Sequence, residues 1–281
     1  MTDNPFHPET LSDRQFADFA AVISAKLGIK MPSSKKTMLH GRLQRRARAL
    51  GLDGAAAYHH HFFANPETQV EELQHLLNLA TTNKTDFFRE PAHFDYLIKT
   101  ALPEWRKANR GPRFNVWSAG CSTGEEPYSI AMALAAEAER EFFDFSILAS
   151  DVSTRVLEHA MDAIYAEEHT TPIPPEARRK YLLRSRDRSV RKVRCAPEIR
   201  SRVRFGILNF LSPAYGIEEP LDVIFFRNVM IYFERETQQE VVTKMCRHLR
   251  SGGHLFIGHS ETLNGLSLPL KPVGAATYRR L

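Results

Sequence analysis

Arg113-Phe-Asn-Val-Trp-Ser-Ala-Gly120-Cys-Ser-Thr-Gly124-Glu-Glu-Pro-Tyr-Ser129 decides the fold of this chain. Its first half is a β-branched and aromatic run that reads as a buried strand from Phe114 to Ala119. Gly120 and Gly124 then make a turn, and Glu125 to Arg140 reads as a helix. Glycines at the carboxyl end of a first strand let backbone approach a ligand closely, the place where doubly wound sheets bind nucleotides. The spacing is not GxGxxG, no Gly-Lys-Ser/Thr follows, and Glu125 and Glu126 would repel a pyrophosphate. A cationic, phosphate-free ligand fits better.

Outward from this stretch, strands alternate with helices. Phe145–Ser150, Leu221–Phe226 and Gly253–Gly258 read as strands, and Ser153–Ala163 and Glu234–Leu249 as helices. Such alternation predicts a parallel sheet covered by helices on both faces. Leu268-Pro-Leu-Lys-Pro and Ala275–Leu281 suit a terminal antiparallel pair, and Pro91 opens a short helix that should end near Leu102-Pro103. Asp151 closes the second strand, where a carboxylate accepts both ribose hydroxyls of an adenosine. With the glycine turn, it points to an adenosine ligand whose remainder is positively charged, a description that S-adenosylmethionine meets. The strand 221–226 delivers Arg227-Asn228-Val-Met-Ile-Tyr232 to the same edge. Asn/Asp-Pro-Pro-Tyr/Phe/Trp, typical of nucleic-acid amino methyltransferases, is absent there.

The first ~85 residues carry apolar positions at helical spacing. Phe16, Phe19, Ala20, Ile23 and Leu27 follow Ser12 as an N-cap. A second helix runs from Ser33 or Ser34 toward Gly51 with Leu39, Leu43, Ala47 and Leu50 on one side. Lys35, Arg42, Arg45 and Arg46 then lie on another. Helices after Asp53-Gly54 and Asn65-Pro66 follow, the latter carrying Val70, Leu73 and Leu77 inward.

The chain has 281 residues and a net charge of +5, but the charge is clustered. Between Asp18 and Asp53 the balance is +8, and from Glu176 to Arg204 it is +9. Single-sign blocks suit an anionic partner better than a solvated face, which mixes signs. Within the second block Val190, Val193, Val203 and Phe205 alternate with arginines, as in a small hairpin. Three widely spaced cysteines argue against a disulfide scaffold, and the polar opening Met1–Phe6 is unlike a secretory signal, so the expected location is cytoplasmic.

Together, Thr81–Pro91, Trp117–Ser129, Ala149-Ser-Asp151, Leu208-Asn209-Phe210, Phe226–Phe233 and Ile257-Gly-His-Ser-Glu261 resemble, in order, the CheR-type chemotaxis receptor methyltransferases. The resemblance implies a Rossmann-like class I methyltransferase α/β sheet with helices on both faces, preceded by a small all-α domain and carrying a small β insert. The boundaries it suggests are 1–88 for the helical domain, with its basic docking helix, 89–281 for the methyltransferase domain and about 176–204 for the insert. It implies S-adenosylmethionine held by Asn83, Thr85, Arg89, Glu126, Asp151, Asn209, Phe210, Arg227 and Asn228, beside Gly120 of the glycine turn, with S-adenosylhomocysteine as product. It also implies glutamate methylation on the acidic helical cytoplasmic domain of chemoreceptors. Arg89 is the candidate for orienting charge and Tyr232 for shaping the space beside the methyl group. Lys35, Arg42, Arg45 and Arg46 are the candidates for docking the acidic substrate. In some members the insert also grips a peptide at the receptor tail; the tip Ser185-Arg-Asp-Arg-Ser189 is short and lacks glycine.

A monomer is expected, with no metal, no nucleic acid and no membrane insertion. His59-His60-His61 reads as a helix surface, because adjacent histidines on a helix diverge. Cys121 reads as a packing residue, Phe62-Phe63, Phe142-Phe143 and Phe225-Phe226 as core, and His259 and Glu261 as site or cap residues in equal measure. Two alternatives belong to other classes. An RNA or DNA methyltransferase would use both basic blocks on phosphates, although the basic helix lacks exposed aromatics for stacking bases. A non-catalytic adaptor would keep the sheet without the intact Gly120, Asp151 and Arg227-Asn228 set.

Overall fold

The structure, a computed structural model, describes residues 11–108, 110–187 and 189–281, so the opening Met1–Phe6 and Arg188 lie outside it. The chain divides into two compact units, Met1–Thr82 with Tyr232–Glu234, and Asn83–Ile231 with Arg235–Leu281. The break at Thr82/Asn83 precedes the expected 88/89 boundary. Phe87 and Phe88 explain the difference: both pack into the core of the second unit, which draws the linker with them.

Among its described residues the first unit holds four α-helices, α1 (Asp13–Leu27), α2 (Lys36–Ala49), α3 (Gly54–Phe62) and α4 (Pro66–Ala80). Ser12 and Gln15 cap α1 reciprocally, and Gly28 ends it in the left-handed region. Phe16, Phe19, Ile23 and Leu27 meet Leu39, Leu43, Ala47, Tyr58 and Phe62 in the core. The expected α4 stripe is displaced. Val70 is 75% exposed, and the inward face is Glu72, Leu76, Leu77 and Ala80. The buried carboxylate sets this rotation: Glu72 receives a two-pronged bond from Arg46 (2.9 and 2.6 Å) and one from the Tyr58 hydroxyl (2.9 Å). Leu50, expected inward on α2, is also exposed, because it lies past the helix end.

In the second unit α5 (Pro91–Tyr96) continues through a wide π segment, Leu97–Ala101, into α6 (Leu102–Lys107). Pro103 therefore does not stop the helix; it falls in the first turn of α6, where its missing N–H is not needed. The strands β1 (Arg113–Ala119), β2 (Asp144–Asp151), β6 (Val203–Ile207), β7 (Leu221–Phe226), β8 (Leu249–Ile257), β9 (Leu270–Gly274) and β10 (Thr277–Arg280) form one sheet, ordered β6-β2-β1-β7-β8-β10-β9. All neighbours are parallel except β10, which is antiparallel to both β8 and β9. The chain leaves β1 toward β2 on one side and returns as β7 on the other, a topological switch that opens a crevice at the carboxyl ends of β1 and β7. α7 (Glu125–Arg140), α8 (Thr154–Asp162) and α11 (Arg235–His248) are the principal connecting helices.

The small sheet is β3 (Ile164–Ala166), β4 (Leu182–Arg184) and β5 (Lys192–Cys195), ordered β3-β5-β4, with the short helix α9 (Pro175–Tyr181) between β3 and β4. It begins earlier and ends earlier than 176–204. Val193 does lie in its hairpin, but α10 (Pro197–Arg200) intervenes and Val203 and Phe205 belong to edge strand β6 of the large sheet. The alternation of β6 mimics a hairpin arm because one of its faces packs and the other does not. Phe142 departs from its expected core place and is 86% exposed, while Phe143 is buried.

Candidate functional site

The crevice is built from the turn after β1. Gly120 has φ +85°, and a Cβ there would lie 2.6 Å from Val229 Cγ2 and 3.9 Å from the Phe210 ring. Gly124 has φ +97°, and its Cβ would meet the Tyr165 hydroxyl at 2.7 Å and Ala160 Cβ at 2.9 Å. Only glycine fits either place. The N–H groups of Gly120 and Cys121 both donate to Ser150 O (2.8 and 2.9 Å), which fastens the turn to the end of β2.

Asp151, at that end, is buried. Ser122 N–H donates to its Oδ2 and Ser153 N–H to its Oδ1, each at 3.0 Å. Burial pushes its pKa up while these backbone bonds hold it down. With the Val152 backbone as a third contact, these bonds occupy only part of a carboxylate's four lone-pair positions, so acceptor capacity remains for a hydroxyl group. Ser122 Oγ in turn donates to Asn83 O at 3.0 Å, tying the linker to the turn.

Glu126, in the first turn of α7, accepts from Ser118 Oγ at 2.6 Å and pairs with Arg227 at 3.3 Å. Burial pushes its pKa up, against Arg227 and the Ser118 hydroxyl. Arg227 also pairs with Glu90 (3.1 Å), donates to Arg89 O, and lies 5.9 Å from the centres of the Phe94 and Phe225 rings. Its side chain is 2% exposed. The guanidinium thus lies between two carboxylates and braces Glu126. Asn228 (φ +58°) follows in a loop whose N–H groups, with those of Gly258 and Ile231, converge on Glu261 at 2.7–3.2 Å. Glu261 accordingly acts as a loop staple, while His259 stays exposed.

Among the described residues six non-glycine residues have positive φ, and four of them, Phe88, Glu90, Ser122 and Asn228, lie in these segments. Backbone strain concentrated in this way is characteristic of binding sites. Asn209 Oδ1 accepts Leu211 N–H (2.9 Å), and Phe210 packs on Phe226 and Trp117 at the edge of the crevice. Arg89 donates to Lys84 O at 3.1 Å, and Thr85 is partly exposed in the same linker. Cys121 is buried, and burial raises its thiol pKa far above the usual range.

Tyr232 is grouped elsewhere, with the helical unit: its carbonyl accepts Lys30 N–H at 2.8 Å and its ring lies 5.2 Å below Lys35 Nζ. The four basic candidates also separate. Arg42 caps α4 through Leu79 O and Thr81 O (2.6 and 2.7 Å), Arg46 is committed to Glu72, and Lys35 Nζ donates to Lys30 O. Arg45 is exposed and carries its charge outward, as does Arg48. Sequence reasoning missed Glu90 as Arg227's partner; its signal was a carboxylate directly after the linker's Arg89 and before a proline.

These residues fit S-adenosylmethionine: a glycine cradle for close backbone approach, a buried Asp151 for ribose hydroxyls, and carboxylate charge for a cation. The family model "CheR methyltransferase, SAM binding domain" matches residues 83–279, and "CheR methyltransferase, all-alpha domain" matches 14–81. The chemotaxis protein methyltransferase of Salmonella typhimurium is 37% identical over 268 residues, covering 95% of this chain and 90% of that protein. That of Escherichia coli is 38% identical over 268 residues, covering 95% and 91%. Among solved structures, the N-methyltransferase NodS from Bradyrhizobium japonicum is 18% identical with a TM-score of 0.35, over 64% of this chain and 68% of that one. No helix among the described residues is long and apolar enough to cross a membrane.

Proposed function

The chain belongs to the CheR methyltransferase family, and on that footing we propose that it methylates glutamate side chains on the cytoplasmic helices of chemoreceptors. The products are glutamate methyl esters and S-adenosylhomocysteine. One observation carries the reading: the match to chemotaxis protein methyltransferases runs through both units, over 95% of the chain. The SAM-binding domain alone would leave the acceptor open; the exposed Arg45 and Arg48 of α2 support an acidic partner.

When bound, S-adenosylmethionine supplies a methyl group activated on a sulfonium. The residues of the chain hold and screen. Gly120 admits the ligand, Asp151 takes ribose hydroxyls, and Asn209 with Phe210 borders the base. Glu126, aimed by Arg227, offers negative charge to the cationic end. The acceptor carboxylate has a solution pKa of about 4.3, so it is already ionised at neutral pH and needs no protein base. Positioning and exclusion of water are what remain for the enzyme. Arg89, leaving the linker beside Arg227, steers the incoming carboxylate; a clamp on the attacking oxygen would favour the ground state and slow attack.

The test is incubation with methyl-labelled donor and purified receptor cytoplasmic fragments, followed by mild base. Volatile labelled methanol, the mark of a carboxyl ester, is expected. Label that stays on protein after base, or label found only on added RNA or DNA, would overturn the assignment.

A further inference from the structure

We infer that Glu90, His93 and His259 form a three-ligand site for a transition ion of the zinc class. One ligand atom from each residue lies within 4.8 Å of the others, the grouping of this kind found among the described residues. All three belong to the sheet unit. Glu90 is the residue before α5 and His93 lies in its first turn, while His259 follows β8, so two segments bring the three donors to one point.

A second observation singles out His93. It is 1% exposed, yet neither ring nitrogen makes a hydrogen bond of normal geometry. Buried polar groups without partners are uncommon, and each such group asks for an explanation. Its Nδ1 lies 3.4 Å from Glu90 Oε2, and its ring meets the His259 ring edge-on with centres 4.9 Å apart.

The dimensions suit a small ion. Bonds of about 2.1 Å in tetrahedral geometry hold ligand atoms ~3.4 Å apart. The Glu90–His93 pair is already at that spacing. The widest separation needs to close by about 1.4 Å, which exposed His259 supplies by turning its ring. Two imidazoles and one carboxylate suit zinc, cobalt or nickel better than calcium or magnesium. A fourth position stays open to solvent on the His259 side, as in zinc sites that exchange a ligand.

Arg227 is the obvious objection, since a guanidinium beside Glu90 repels a cation. Arg227 and His93 face the same Glu90 oxygen, Oε2, while Oε1 accepts the His259 N–H at 3.3 Å and lies on the His259 side. Glu126 faces the same guanidinium at 3.3 Å, so two negative groups surround one positive one.

The test uses the full chain stripped with chelator and titrated with Co2+, followed by its visible ligand-field absorption and by displacement with Zn2+. One equivalent with the intense bands of a four- or five-coordinate ion is expected. His259→Ala, at an exposed position, and His93→Gln should each weaken binding about tenfold or more. Thermal melts report whether His93→Gln folds; if it does not, His259→Ala decides. No uptake at ~100 µM free Co2+, where even a weak three-ligand site binds, overturns the site. Uptake that survives His259→Ala and disappears in His60→Ala/His61→Ala overturns it too, by moving the ion to α3.

Discussion

Charge reversal on α2 separates docking from folding, because Arg45 and Arg46 are adjacent in sequence and unlike in environment. Arg45 is exposed, whereas Arg46 is 20% exposed and holds the buried Glu72 with two bonds. Burial raises the Glu72 pKa, but Arg46 and Tyr58 outweigh it and hold the carboxyl below its usual range. Arg46→Glu would set two carboxylates against each other beside Tyr58. Removing one partner from a buried pair costs ~3–5 kcal/mol, so the helical unit of this variant should unfold early in a melt. Arg45→Glu touches nothing buried, and its stability should stay within about 0.5 kcal/mol of the parent. Its effect appears against an acidic substrate, where exposed charge pairs are worth ~0.2–1 kcal/mol each and reversal changes the charge by two. That predicts a loss of kcat/KM of roughly 2- to 30-fold at low salt, fading as ~0.5 M salt shrinks the screening length to a few ångströms. The assay is initial-rate methyl transfer to receptor fragment at low and high salt, with calorimetric S-adenosylhomocysteine affinity as the control. An Arg45→Glu rate equal to the parent at low salt refutes α2 as the docking face.

Other expectations follow from single contacts. Asp151→Ala removes the acceptor for the Ser122 and Ser153 N–H groups as well as the ribose ligand. Calorimetry should then show S-adenosylhomocysteine affinity lower by about 100-fold, and retained affinity would remove Asp151 from the site. Gly120→Ala drives a methyl group into Val229 Cγ2; binding should fall and recover in part with Val229→Ala, whereas no recovery would mean that the backbone strain alone matters. Burial raises the Asp222 pKa from 3.8 to about 6. An acid whose folded pKa is raised stabilises below its unfolded pKa, and that contribution is lost as pH rises through 6. At about 1.4 kcal/mol per pH unit the difference is worth about 3 kcal/mol, so Asp222→Asn should gain that much relative to the parent between pH 3.5 and 7 in denaturant titrations. A constant difference across that window would contradict the assignment.

The parts of this molecule that were legible in its sequence are those encoded by neighbours. The strand, glycine turn and helix from Arg113 to Arg140 depend on residues a few positions apart, and they form where the periodicity puts them. The crevice depends on the same local signals, because a glycine at φ +85° and an aspartate at a strand end are both consequences of where one element stops. What stayed hidden involves pairs far apart in the chain. Glu72 is separated from Arg46 by 26 residues and Glu90 from Arg227 by 137, so no window of sequence contains both partners. Each pairing gives its residue a partner that residue type alone does not reveal: Arg46 is tied to Glu72, and Arg227 to Glu90 and Glu126. Charge composition misleads in the same way. A basic helix face looks uniform when counted, but one buried carboxylate, Glu72, takes Arg46, and the carbonyls of Leu79 and Thr81 take Arg42. The charge that α2 turns outward is therefore what remains after folding, carried by Arg45 and Arg48, and whether an acidic surface docks on that remainder is what the salt dependence of Arg45→Glu measures.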